Sequence, residues 1–256
     1  MFSPAGGRFP PTAPGGRPVV WAATGRFGGT SSGPYATLNL AGHVGDRPDD
    51  VTTNRGRVAA GLGLPAASVA VMDAVHGADV AFVDSPGVYP GVDGLVTRES
   101  GLAVLALGAD CVTIGIVGSD GITVAAAHSG WRGLVADIIG VTVAAVRDCG
   151  TDIRAVILGP SVCGSCYPVP VSRAVAVAAR VSAAVSAAAL VCTPDGQPGI
   201  DVREGLRMRL IELDVAADTV VVCGGCTAED AGLFSFRRDG ITGRQGVAVC
   251  TTMVDA

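Results

Sequence analysis

AVLALGADCVTIGIVGSDGITVAAAHSGWRGLVADIIGVTVAAVRD, residues 103–148, carries most of an architecture in one stretch. Three runs of small and β-branched residues, 103–107, 112–117 and 122–127, are each bounded by Gly, Asp or Ser, as buried strands separated by turns are. The period then changes. From 134 to 148, Val135, Ile139, Val143 and Val146 recur every three to four residues and make one apolar helical face, which Leu134, Ile138 and Val141 widen. The run therefore predicts three strands and a well-buried helix. Polar residues punctuate it at the turns. Cys111, beside Asp110, separates the first two runs, and His128 ends the third, followed by SGWRG, whose Gly130 and Gly133 permit tight backbone before the helix.

Working outward, the same criteria predict strands at 19–24, 69–75, 155–158, 219–223, 233–236 and 246–251, and helices at 50–61, 172–191 and 202–214. There is no internal repeat, and the cluster 194–199 reads as a turn within a domain. One α+β domain spanning 19–256 is the economical reading. The first 18 residues, MFSPAGGRFPPTAPGGRP, are rich in Gly and Pro and lack an apolar run of signal-peptide length, so a flexible lead-in over 1–18 and a cytoplasmic protein are expected. The longest apolar stretch, 174–192, is mostly alanine and is broken by Arg180, Ser182 and Ser186, which suits a helix better than a membrane span.

Composition removes several function classes. At 256 residues the chain can bury a sizeable core, and with 49% apolar but only 4% aromatic residues that core must be Ala, Val, Leu and Ile. A net charge of −5 provides no basic field for tracking a nucleic-acid backbone, so no nucleic-acid partner and no membrane are expected. All 18 cationic residues are arginine. Without lysine there is no Schiff base, no pyridoxal phosphate anchored on this chain and no Walker-type phosphate loop; any phosphate is held by arginine or backbone amides.

The chain has three histidines. His76 lies in AVHGADV after an apolar run, and His128 and Cys111 sit at the strand ends already described. One thiolate and two imidazoles form the ligand set of a catalytic zinc that keeps its fourth position open. Taken singly, a buried Cys or His is more often structural. Together, three polar residues that interrupt apolar strands at Gly-rich turns favour one shared site.

AVHGADV, GADCVTI, AHSGWRGL, GPSVCGSCYPV and FSFRRDGITGR, in that order, resemble the successive signatures of the YfiH-like laccase-domain family, also called the purine nucleoside phosphorylase or polyphenol oxidase family. RFGGTSSGPYATLNLAGHVGD followed by VTTNR resembles its opening, so the likeness runs from about Arg26 to Val249. The resemblance implies a layered α/β/β/α sandwich of mixed sheets. It implies zinc held by His76, Cys111 and His128, which would also be the catalytic residues. It further implies phosphorolysis of adenosine, inosine, guanosine and methylthioadenosine with inorganic phosphate as co-substrate, and deamination of adenosine.

In phosphorolysis, phosphate attacks the anomeric carbon as the purine leaves, so an anion must be placed and a departing base stabilised. Arg55, in the NR pair, is the first choice for phosphate or ribose; Arg132 of GWRG is the second, although it equally suits tying down its own turn. Asn39 is a candidate substrate contact, and His43 reads as holding a loop. Trp131 suits base stacking or, more commonly at such a turn, packing against its helix. Arg237, Arg238 and Arg244 are further anion holders or partners of Asp239. For deamination, a zinc Lewis acid would make water reactive near neutrality at purine C6, with Asp110 a positional candidate for general acid or base. No H-x-E…P-C-x-x-C signature is present.

The chain departs from the family at Ala74, where glutamine is usual, at Thr113, where proline is usual, and at Ser165 and Cys166, which replace paired cysteines while Cys163 appears before them. Cys163-Gly-Ser-Cys166 and Cys223-Gly-Gly-Cys226 thus form two CxxC pairs, too far apart for a compact zinc ribbon. Structural zinc, a redox disulfide and buried thiols all remain open; in a cytoplasmic chain reduced cysteines are expected. A multicopper oxidase needs more histidines than the chain has. The alternative enzyme is a metal-free Cys-His hydrolase, for example in cell-wall precursor editing, with Cys111 as nucleophile and His128 or His76 as base. The preferred nucleoside and the oligomeric state stay open at this level.

Overall fold

The computed structural model describes residues 5–11 and 17–252. Two six-stranded mixed sheets stack face to face. The first runs in the order β1 (Ala5–Phe9), β2 (Val19–Ala23), β14 (Gln245–Thr251), β7 (Ala103–Gly108), β3 (Val69–Asp73), β5 (Gly87–Pro90). The second runs β13 (Val220–Val222), β10 (Ile153–Leu158), β8 (Val112–Gly118), β9 (Val124–Ser129), β6 (Gly94–Thr97), β4 (Val80–Phe82). A hairpin, β11 (Leu190–Cys192) with β12 (Pro198–Ile200), stands apart.

Strand alternation explains why the central strands are apolar at almost every position. In β7, Val104 and Ala106 face the space between the sheets, while Ala103, Leu105 and Leu107 face the opposite layer. β14 repeats this with Val247 and Val249 against Ala248 and Cys250. In the second sheet, Val124, Ala126, Ala155 and Ile157 point between the sheets, while Ile114, Ile116, Ala125 and Leu158 point outward. Each outer face is covered by helix. α1 (Pro48–Gly61) places Val58 and Ala59 on the first sheet, and α3 (Ile138–Asp148) and α6 (Val202–Glu212) place Ile138, Val143, Leu206 and Leu210 on the second. Each fully buried aliphatic side chain contributes about 1.5–3 kcal/mol, and the result is a single α/β/β/α domain, as the resemblance implied. No helix among the described residues is long and apolar enough to cross a membrane.

Four local expectations change. The helix expected over 134–148 is two helices, α2 (Trp131–Val135) and α3, because Asp137 takes φ +60° between them. Its carboxylate caps the Gly140 N–H of α3 and accepts a two-pronged bond from Arg209 of α6, at 3.0 and 2.7 Å. The stretch 172–191 divides into α4 (Val171–Ala178) and α5 (Ala183–Ala189), where Ser182 caps the second through Val185 N, and then enters β11. No strand forms at 233–236. There the buried Phe234 backbone exchanges both its hydrogen bonds with the side-chain amide of Gln245, which takes the place of a strand partner, and Phe236 opens the short helix α7 (Phe236–Asp239). Within the expected lead-in, Ala5–Phe9 is the edge strand β1, antiparallel to β2, while 1–4 and 12–16 lie outside the described residues.

Candidate active site

Three strand ends meet. The antiparallel pairing of β8 with β9 sets Val112 opposite Ser129 and Thr113 opposite His128, so Cys111, just before β8, arrives beside the end of β9. β3 ends at Asp73, and the chain turns through His76 at φ +64°, a left-handed conformation that non-glycine residues adopt at a cost. Cys111 Sγ lies 3.8 Å from His76 Nε2. The His76 and His128 rings meet edge to face with centroids 4.8 Å apart, and one ligand atom from each of the three residues falls within 4.8 Å of the others. The glycine after His128-Ser129 is required by space: a Cβ on Gly130 would stand 2.9 Å from Cys111 Sγ and 3.3 Å from His76 Cδ2.

Asp93, one residue before β6, organises this convergence. Its fully buried carboxylate accepts from the backbone N–H groups of Val75, His76 and Gly77, at 3.3, 2.9 and 2.7 Å, and from His128 Nδ1 at 3.0 Å. The first three bonds hold the left-handed turn. Because a carboxylate only accepts, the fourth fixes a proton of His128 on Nδ1 and leaves Nε2 as the nitrogen that could bind a metal. Burial raises the Asp93 carboxyl, but the His128 hydrogen bond and the backbone donors outweigh it and hold the group below the ordinary carboxylate range.

The charges of the pair reinforce one another. Burial disfavours a thiolate at Cys111, yet His128, by charge and hydrogen bond, and then His76 bring the thiol down to about 6. Burial likewise lowers His128, but the Cys111 thiolate and Asp93 lift it to about 9. In metal-free protein, iodoacetamide labelling of Cys111 should therefore rise with pH around 6 and level off well below the ordinary thiol value of about 8.5. Peptide mapping of labelled sites checks this: Cys223 and Cys250, raised by burial to about 11 and about 12, should label far more slowly. Zinc should suppress the Cys111 reaction. A Cys111 that labels only above the ordinary thiol range would refute the pairing.

His76, Cys111 and His128 open on a cavity of about 730 Å³. Arg132, Arg173, Arg237 and Arg244 line it, together with His43, Trp131, Tyr167 and Phe236. Arg132 and Arg173 lie over the Trp131 ring, at 5.4 and 5.1 Å, and Arg237 lies over Tyr167 at 4.6 Å, so the aromatic faces hold guanidinium groups in place. Trp131 also packs on the outer core of the second sheet, the commoner of its two readings.

The other candidates from sequence fall in different places. Arg132 lines the cavity. Arg55 is not among the lining residues; its Nε donates to Leu40 O, burial lowers its guanidinium, and it acts on the charge of His43, which bonds Asp73 at 3.1 Å. His43 holds that loop, as expected, and also faces the cavity. Asn39 is fully buried with all four of its amide positions used: Nδ2 donates to Ala41 O and Asp46, and Oδ1 accepts from Ala41 N and Arg244 N. It therefore positions Arg244 from behind. Asp110, at φ +89°, lines the cavity and accepts from Thr227 Oγ1, Ser235 Oγ and Arg237 N at 2.6–2.7 Å, so its carboxylate also pins two loops. Arg238 is likewise structural, donating to Thr227 O, Asp230 O and Leu233 O. Asp93, Tyr167 and Arg173 escaped sequence reading. Only the acid inside the apolar run GVDGLV was a signal, and Asp-Gly reads locally as a turn.

The sequence profile of the multi-copper polyphenol oxidoreductase laccase family matches residues 20–252. A purine nucleoside phosphorylase of Streptomyces coelicolor is 44% identical over 228 residues, covering 86% of this chain and 90% of that protein. One from Corynebacterium glutamicum is 35% identical and covers 92% and 96%. Among solved structures, YlmD from Geobacillus stearothermophilus superposes with a TM-score of 0.84 at 34% identity, covering 92% of each chain. A Bacillus licheniformis protein, YfiH, gives 0.84 at 25% identity and covers 91% and 93%.

Proposed function

This chain belongs to the multi-copper polyphenol oxidoreductase laccase family, and from that premise we propose that it is a zinc-dependent purine nucleoside phosphorylase. One observation carries the reading: a thiolate and two imidazoles converge at a cavity walled by four arginines. The family's copper name does not transfer to the chemistry, because three histidines cannot furnish a multicopper set. The donor set does suit zinc, with His128 Nε2, His76 and Cys111 as ligands and Asp93 orienting His128 from behind. Zinc bound by three protein ligands supplies a Lewis acid with one position left for a reactant.

The chain's own residues do the rest. Arg132, Arg173, Arg237 and Arg244 bring positive charge to the cavity wall and suit an inorganic phosphate and the negative charge it carries toward the anomeric carbon. Tyr167 and Phe236 present aromatic surface to a purine. Arg55 acts one layer back, through His43 and Asp73, and Asn39 acts through Arg244. The proposed substrates are adenosine, inosine, guanosine and methylthioadenosine, with adenosine deamination as a side activity for which Asp110, on the cavity wall, is the positional candidate for general acid or base.

The test is release of free purine from adenosine and inosine, with and without phosphate, on protein of measured zinc content. Phosphate-dependent release of base together with ribose 1-phosphate is expected. Release indifferent to phosphate would overturn phosphorolysis.

One observation favours a second reading. The thiolate at Cys111 and the imidazolium at His128, backed by Asp93, also form the charge pair of a cysteine hydrolase. That reading expects full turnover without zinc and inactivation by stoichiometric alkylation of Cys111; the zinc reading expects loss of activity with the metal and protection of the thiol.

A further inference from the structure

A second set of ligands lies outside the cavity. Cys163, Cys166, Cys226 and Glu229 each offer one donor atom, and these atoms lie within 4.8 Å of one another. Cys166 Sγ is 3.4 Å from Glu229 Oε1. The spacing is the same in both segments of the site, and so is the backbone. Cys166 N donates to Cys163 O at 3.1 Å, and Glu229 N donates to Cys226 O at 3.2 Å, so each pair is a tight turn that brings its first and fourth side chains to one side. The two turns are docked on each other through the bridge between Ser161 and Cys226, by Thr227 N on Ser161 O, and by Cys163 N donating to Cys226 Sγ at 3.3 Å.

Cys223, which spacing alone would pair with Cys226, is elsewhere. It is buried in the core between the sheets, and its thiol donates to Leu158 O. Glu229 takes its place. Three sulfurs and a carboxylate make a complete tetrahedral donor set with no position for a reactant, and zinc bonds of about 2.3 Å would set the sulfurs roughly 3.8 Å apart, within the spread seen here. A disulfide accounts for this cluster poorly: it would use two sulfurs and leave the third beside a carboxylate, and all eight cysteines are free.

We propose that Cys163, Cys166, Cys226 and Glu229 form a second, structural zinc site. On binding, each thiol releases its proton to solvent and becomes a ligand. The site clamps the two loops that build one wall of the cavity. Val162 N donates to Asp110 O and Thr227 Oγ1 to the Asp110 carboxylate, next to Cys111, while Tyr167 follows Cys166 directly into the cavity lining.

Zinc content of the full chain, measured by mass spectrometry of the element after desalting, tests this beside Cys111→Ala, Cys226→Ser and the double variant. Two zinc ions are expected in the wild type, one in each single variant and none in the double. Cys226→Ser risks failing to fold, so cobalt substitution of Cys111→Ala gives a second reading with the cluster intact: a strong sulfur-to-cobalt band in the near ultraviolet is expected. A wild-type content of one zinc that persists in Cys111→Ala would uphold this site and sink the cavity metal; a single zinc lost in Cys111→Ala would do the reverse. Six free thiols in the denatured, metal-free wild type instead of eight would also overturn the proposal, by revealing a disulfide.

Discussion

Cys111→Ala should empty the cavity site of metal and lower phosphate-dependent base release by on the order of 10³-fold or more, the equivalent of several kcal/mol of lost Lewis-acid stabilisation. Removing the only sulfur leaves two imidazoles, one of which is partly solvent-exposed through its turn, and two ligands do not retain zinc against water. The fold should survive. Cys111 precedes β8 and is not part of either sheet core, and an alanine there keeps the backbone that pairs with β9. The measurement is kcat/KM with zinc content and a melting curve on the same sample. Activity within tenfold of the wild type, at any zinc content, would mean that the thiol is neither ligand nor nucleophile.

Asp93→Asn is the second large effect, and it separates stability from chemistry. The carboxylate accepts four bonds, three from backbone N–H groups of the turn and one from His128 Nδ1. An amide nitrogen in place of one oxygen would face donors with donors, and the loss of charge weakens the rest; buried and unsatisfied, these groups should cost about 3 kcal/mol. His76, held at φ +64° by those same bonds, should relax, and with His128 no longer oriented the zinc affinity should fall about 10–100-fold. The sign of the acid dependence follows from the depressed Asp93 pKa: its contribution is present above the ordinary carboxylate value and disappears as pH falls through the lower folded value. The wild type should therefore lose stability on that acid limb more steeply than Asp93→Asn. Melting temperature against pH, with competitive zinc titration, decides the matter. Parallel acid limbs, or unchanged zinc affinity, would show that Asp93 does not orient the site.

The contrast between Cys111 and Asp93 also measures how far local sequence reaches. His76, Cys111 and His128 were legible because each lies beside an apolar run at a glycine-containing turn, and a polar side chain in that position has no packing reason to be there. Asp93 was illegible because its partners are 16 to 35 positions away, and its own neighbours, Val92 and Gly94, describe only a turn. It acquires meaning when β6 pairs with β9 and brings it alongside His128. Arg55 and Asn39 show the complementary case: their motifs were recognisable, yet both sit behind the wall, Arg55 donating to Leu40 O and Asn39 accepting from Arg244 N. The cavity arginines come from α2, α4, α7 and the loop before β14, and nothing in any one segment says that these four would face each other.

Secondary structure divides along the same line. Strands at the centre of the two sheets, β6 excepted, were readable from composition, since a strand covered on both faces must be apolar throughout, and the periodicity of 134–148 announced a face against a sheet, although Val141, counted in that face, is exposed. Where that helix breaks was not readable, because the break at Asp137 is held by Arg209, 72 positions later. Short edge strands such as β4, β5 and β11 were missed for a related reason: their hydrogen bonds come from partners, not from their own propensity. The amino-acid order alone thus settles which residues must be buried and which polar groups are out of place among them, since those are properties of a residue and its immediate neighbours. Which polar groups meet, what orients them and which charges surround them are settled by pairing between distant segments, since hydrogen bonds and fields act through space and take no account of separation along the chain.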